Sequence, residues 1–150
     1  MRNTIEFEFT KLEQKKFEAA CNIAMTNVYR GTKKATTAAC EEILANSLEQ
    51  VPRDTTTLAM SAYYEVRRRS DVKGYVYEGI VGYGGNGDPI NPKTGMPASS
   101  YMLAVHEDLD AQHPVGKAKF LEDPVREYAQ EHFSRTVFKY MKESLAGQSL

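Results

Sequence analysis

Residues 10–52, TKLEQKKFEAACNIAMTNVYRGTKKATTAACEEILANSLEQVP, decide the fold. Thr10 and Glu13 stand at capping-box spacing, and Phe17, Ala20, Cys21, Ala24 and Val28 follow as one apolar stripe of a helix. The stripe resumes through Ala35, Ala38, Ala39, Ile43 and Leu44, with Gly31-Thr32 between the halves, where glycine weakens a helix relative to alanine. The pattern predicts a helix over about 11–48, bent or broken near Gly31 and stopped by Pro52, which excludes its predecessor from helical backbone. Upstream, Ile5, Phe7 and Phe9 alternate with Thr4, Glu6 and Glu8, the period of a half-buried antiparallel or edge strand.

Downstream the period changes from helical to extended. Tyr63, Tyr64 and Val66 lead into Arg67-Arg68-Arg69, a turn spans 70–74, and Tyr75, Val76, Tyr77, Ile80, Val81 and Tyr83 form the return strand of a hairpin. The return strand is apolar on both faces, so both are expected to be covered, one by a neighbouring subunit. Residues 82–100, GYGGNGDPINPKTGMPASS, hold too many glycines and prolines for a regular element. A third short apolar run, 101–105, ends at His106. Asp123 as N-cap and Pro124 at the first helical position open a last helix with an inward stripe of Val125, Tyr128, Ala129, Phe133, Val137, Tyr140 and Met141, and the tail from 147 is expected to fray. The expected fold is one α+β domain over 1–150: a small, mostly antiparallel sheet packed with a long N-terminal helix and a C-terminal helix.

Composition narrows the function classes. With 150 residues, 41% hydrophobic, a core is available without staples, since folding buries roughly 70% of the surface at this length. A net charge of −1 lacks the basic footprint of a non-specific nucleic-acid binder. No run reaches the length of a membrane span and residues 1–6 show no apolar signal region, so a cytoplasm-like compartment is expected. Cys21 and Cys40 on one helix stand about 28 Å apart, too far for a disulfide.

Candidate chemistry is sparse. His106, Glu107, Asp108, Asp110 and His113 are possible metal ligands or acid/base groups, and a small metal-dependent hydrolase using His106, Glu107 and His113 is one reading. Their spacing fits no zinc pattern of known geometry; the plainer reading is a hydrogen-bonded His106 at a strand end beside solvated acids. Gly84-Gly85-Asn86-Gly87 lacks the Gly-Lys-Ser/Thr ending of a P-loop, and no Gly-x-Ser-x-Gly elbow occurs. Of Arg67, Arg68 and Arg69, two face one side of a strand and one the other; they solvate a strand end, or contact passing DNA or an acidic neighbour. Five of the nine tyrosines lie within 63–83, as expected of core and interface packing.

Three segments resemble a known family. Val51-Pro52-Arg53-Asp54-Thr55, with Leu58 and Ser61, resembles the Pro-x-Asp-Thr-Gly-x-Leu-x-x-Ser segment of tail-completion and neck proteins of tailed bacteriophages. Tyr101-Met102-Leu103-Ala104-Val105-His106-Glu107 resembles their Tyr-Ala-x-x-Val-His-Glu segment, and Ala118-Lys119-Phe120-Leu121-Glu122 with Pro124-Val125 resembles the Ala-x-Phe-Leu-x-x-Pro-Val approach to their last helix. The likeness spans about 10–143. Thr56 stands where the family usually has Gly, which implies a turn without positive φ, and Asp108 stands where Gly is common.

The resemblance implies an α+β fold and a non-enzymatic virion protein made in the bacterial host cytoplasm, without cofactor or metal. Its partners would be further copies in a ring, often six-fold, an adjoining head-closure ring, and a tail terminator or tail tube protein, with genomic DNA passing through the lumen. A tail terminator or minor capsid component of the same particle is the related alternative. Asp54 and Thr55 are expected to fix the turn after the first helix, Phe120 and Leu121 to anchor a corner, and Asp123 to cap. Arg67, Arg68, Arg69, Tyr75, Tyr77, Asn86, Asp88, Asn91 and Lys93 are the candidate assembly contacts, with the 84–100 loop reaching a neighbour and ordering on assembly.

Overall fold

Thr10 caps the first helix through both arms of a capping box: its hydroxyl accepts from the Glu13 N–H and the Glu13 carboxylate accepts from the Thr10 N–H. The computed structural model describes residues 10–71, 74–85 and 87–147. The strand expected over 3–9 and the candidate contact Asn86 lie outside them.

Helix α1 (Lys11–Gln50) runs unbroken through Gly31 and ends at Val51, whose extended backbone fits the following Pro52. Thr26, Thr32, Thr36 and Thr37 are accommodated within it by hydroxyls donating to the preceding turn's carbonyls. Gly31 is a packing residue and no break: a Cβ there would lie 3.1 Å from the Met141 Cα and the Tyr140 carbonyl oxygen, so the last helix crosses α1 nearly backbone to backbone.

After the short α2 (Thr57–Met60), strands β1 (Tyr63–Asp71) and β2 (Gly74–Gly82) form a two-stranded antiparallel sheet, Tyr63 opposite Gly82 and Arg67 opposite Glu78. β2 runs along the second half of α1. Tyr75 stacks on Tyr29 at 3.8 Å, Gly79 lies against Cys40 and Thr36, and the Tyr83 hydroxyl sits 2.7 Å from Ser47 Oγ.

Helix α3 (Ala98–Glu107) replaces the short apolar run expected to end as a strand at His106. Its first turn is held from a distance, by the Asp88 carboxylate accepting from the Ser99 N–H. The C-terminal segment is α4 (Glu122–Glu127), a π turn (Tyr128–His132) and α5 (Phe133–Ala146), with Gly147 as C-cap. Leu121, with no side-chain cap, precedes α4, so Asp123 and Pro124 are its second and third residues and the expected Asp123 cap is not formed. Asp123 instead accepts from Lys117 Nζ at 2.6 Å. The architecture is α+β, with α1 as the spine, the hairpin on one side and the C-terminal helix on another. No helix among the described residues is long and apolar enough to cross a membrane.

Candidate functional site

The three segments that carry the family resemblance converge on one core. Val51, Leu58, Tyr83, Ala98 and Phe120 are its buried members, with Tyr101, Val105 and Leu121 packed against them. Leaving α1, Pro52 is buried, Arg53 donates to the Leu48 carbonyl at 2.7 Å, and the Thr55 and Thr57 hydroxyls meet at 2.9 Å. Buried Ser61 donates to the Leu58 carbonyl at 2.7 Å while its own carbonyl accepts from the Gly84 N–H at 3.1 Å, which ties α2 to the end of β2.

Thr56 adopts φ 58° and ψ −8°, so the turn does need left-handed backbone, contrary to expectation. That conformation costs an L-residue about 1–2 kcal/mol, whereas glycine adds roughly 0.4–1 kcal/mol of unfolded-state freedom. Thr56→Gly is therefore expected to stabilise the protein by about 0.5–1 kcal/mol in urea unfolding.

His106 is buried and both its ring nitrogens are engaged. Nε2 accepts from the Glu122 N–H at 3.3 Å, which leaves the proton on Nδ1 to be donated to Glu107 at 2.7 Å. Its ring meets Phe120 edge-on at 4.9 Å, and its carbonyl accepts from the Lys119 N–H at 2.8 Å. Lys119, at φ 56°, is held in left-handed backbone by that bond, and its ammonium lies 2.5 Å from Glu107 and 2.9 Å from Glu122.

Hydrogen bonds from Lys119 first, then His106, hold the Glu107 carboxyl below its ordinary range, and Lys119 does the same for Glu122. Carboxylates depressed in the folded state stabilise it above their unfolded pKa of about 4.3 and lose that contribution as pH falls through the folded values. A Lys119→Met variant is expected to melt below the parent protein at about pH 6 and to converge on it by about pH 3.

The hydrolase reading does not find its geometry. His113 lines a different cavity, of about 380 Å³, with Asp54, Asn91 and Tyr101, and its Nε2 and the Tyr101 hydroxyl are buried there without a protein partner. No three His, Cys, Asp or Glu side chains among the described residues converge to hold a metal ion.

The described residues of the 84–100 loop make contacts within the single chain. Ile90 bridges Pro97, Asn91 is buried and its side chain accepts from the Lys93 N–H at 2.9 Å, and Lys93 Nζ reaches Asp54 at 2.6 Å. Asp88 is used at the start of α3, so Asp88, Asn91 and Lys93 each serve an internal contact. On the hairpin, Arg67 pairs with Glu65 at 2.5 Å, Arg69 with Glu78 at 3.8 Å, and Arg68 lies 4.9 Å over the Tyr75 ring. Tyr77 meets Tyr75 edge-on. These arginines remain exposed, and such ion pairs contribute little to stability.

The larger surface feature is one the sequence pattern concealed. The row Val125, Ala129, Phe133 and Val137, expected to point inward, lines an open apolar groove of about 900 Å³ between the C-terminal helix, α1 and β2. Phe133 is 54% exposed and Val125 43%. The N-terminal sixteen residues of α1, 11–26, are exposed throughout, Leu12 at 62% and Phe17 at 70%. Contiguous exposed apolar surface of this extent is uncommon on monomeric proteins. Comparison of the chain with family models, with curated proteins and with solved structures finds no match in any of the three.

Proposed function

We propose that this chain is a non-enzymatic structural protein of a tailed-bacteriophage virion, forming a homo-oligomeric ring at the neck that completes the tail and joins it to the head. One observation supports the reading: the three separate stretches that resemble neck and tail-completion proteins meet in one core, where Val51, Leu58 and Phe120 are buried together with Tyr83 and Ala98, and Tyr101 and Val105 pack against them. The exposed apolar arm and groove support an assembling protein, because heterologous contacts repeated about an axis need two different complementary surfaces on each copy. The ring would lie against a head-closure ring on one side and a tail terminator or tail tube protein on the other, with DNA passing through its lumen.

A stop codon placed early in this gene, followed by electron microscopy of the lysate, tests the role. DNA-filled heads lying apart from tails are the expected result. Tails of irregular length would move the protein to the terminator position, and normal infectious particles would overturn the structural role altogether.

A further inference from the structure

The groove has the dimensions and the open backbone of a slot for one more strand. Its floor is α1 from Val28 to Ile43, about 23 Å of helix, and its walls are β2 and the row Val125, Ala129, Phe133 and Val137. β1 occupies one edge of β2, and the other edge pairs with no strand among the described residues. Such an edge presents unpaired N–H and C=O groups that template pairing with another chain.

We infer that the slot receives residues 3–9 of a second copy of this chain, added as a strand to β2 with Ile5, Phe7 and Phe9 facing α1 and Thr4, Glu6 and Glu8 facing solvent. Seven extended residues span about 23 Å, the length of the floor. Their alternation supplies three large apolar side chains on one face, suited to a slot that is open on the other.

The segment cannot reach the slot of its own chain. Phe9 adjoins Thr10, the cap of α1, and the floor begins at Val28, about 27 Å further along the helix. Seven residues reach at most roughly 25 Å, so a strand folded back from Thr10 would lie beside the bare arm, with Ile5 and Phe7 short of the groove. The arm that defeats the internal contact serves the external one, since it sets the start of α1 far from the chain's own groove and exposes Leu12 and Phe17 along the way. The contact is heterologous, strand to slot, and each copy offers one of each. The inference rests on the ring reading only for the identity of the partner.

Analytical ultracentrifugation of the full-length protein over a concentration series tests it apart from the particle. The parent protein is expected to form oligomers that grow with concentration. Phe7→Asp disables the strand, and Phe133→Glu, with Val125→Glu as a second groove variant at another exposed position, disables the slot; each is expected to sediment as a monomer with the parent's circular dichroism. Mixing the Phe7→Asp and Phe133→Glu proteins is expected to give heterodimers and nothing larger, because only one intact strand and one intact slot remain per pair. Amide exchange over Tyr75 to Val81 is expected to slow on oligomerisation. A parent protein monomeric at every concentration, folded variants that assemble like the parent, a mixture that stays monomeric, or oligomers whose β2 amides exchange as in the monomer would each overturn the inference. The first of these, with heads and tails still separated by the stop codon, would leave the particle role standing.

Discussion

Replacing Gly116 by alanine is expected to remove about 3 kcal/mol of stability, roughly 6–12 °C in melting temperature for a chain of this size. Gly116 has φ 90°, a conformation that alanine adopts only under strain. An added Cβ would stand 2.5 Å from the Pro52 nitrogen, 2.6 Å from the Val51 carbonyl carbon and 2.7 Å from the Gln50 carbonyl oxygen, all of them backbone atoms that cannot rotate away. The neighbouring Lys117 N–H donates to that same Gln50 carbonyl at 2.8 Å, so the segment cannot retreat without giving up the bond that docks it on the end of α1. Thermal denaturation followed at 222 nm reads the loss. An unchanged midpoint would show that the approach of 116–117 to α1 does not hold the corner together.

Truncating Phe120 to alanine is the second large effect, about 3–5 kcal/mol. The side chain is fully buried and supports rings on two sides, Tyr83 at 5.1 Å and His106 at 4.9 Å, both edge to face. Removing it opens a cavity where the three converging segments meet, and those segments hold one another through backbone hydrogen bonds that limit collapse around the void. Urea unfolding of Phe120→Ala and Phe120→Leu separates the two contributions: leucine refills most of the volume and should cost less than half as much, while a loss shared equally by both would assign the effect to the ring pairs with Tyr83 and His106.

Local chemistry was legible wherever it alone decided the structure. The capping box at Thr10 and Glu13, the stop at Pro52 and the period-two runs on either side of the 70–74 turn each need only neighbours in sequence, and each is where the pattern puts it. The misreadings share a cause, which is a partner far away in the chain. Gly31 reads as a helix breaker until Met141 is seen against it. α3 lacks a local cap because Asp88 supplies one eleven residues upstream, and α4 starts at Glu122, ahead of Asp123, because His106 takes the Glu122 N–H. Thr56 bears its positive φ in a turn whose flanking residues, Pro52 and Leu58, are both fixed in the core. The core half of the candidate site, Leu58, Ser61, His106 and Phe120, was therefore identified by residue but not by contact. The groove was hidden because an apolar row facing an open slot has the same spacing as one facing a filled core.

The π turn at Tyr128–His132 lets the C-terminal helix carry one residue more than a regular helix between the same contacts. Each residue of a regular α-helix turns the chain by about 100°, so one residue inserted or lost there resets the angular phase of everything beyond it, whereas the wider π turn takes up one residue without doing so. Upstream of the turn, Tyr128 is buried against the body; downstream, His132 lies 2.5 Å from Glu42 and Met141 meets Gly31. Gln130, within the turn, is exposed and free to change its side chain. Its deletion would restore a regular α turn and leave α5 in its present phase, with Met141 still against Gly31 and Phe133 still at the groove. At this position the chain tolerates both a substitution and the loss of one residue, whereas a deletion within α5, between Phe133 and Met141, would turn Met141 away from Gly31.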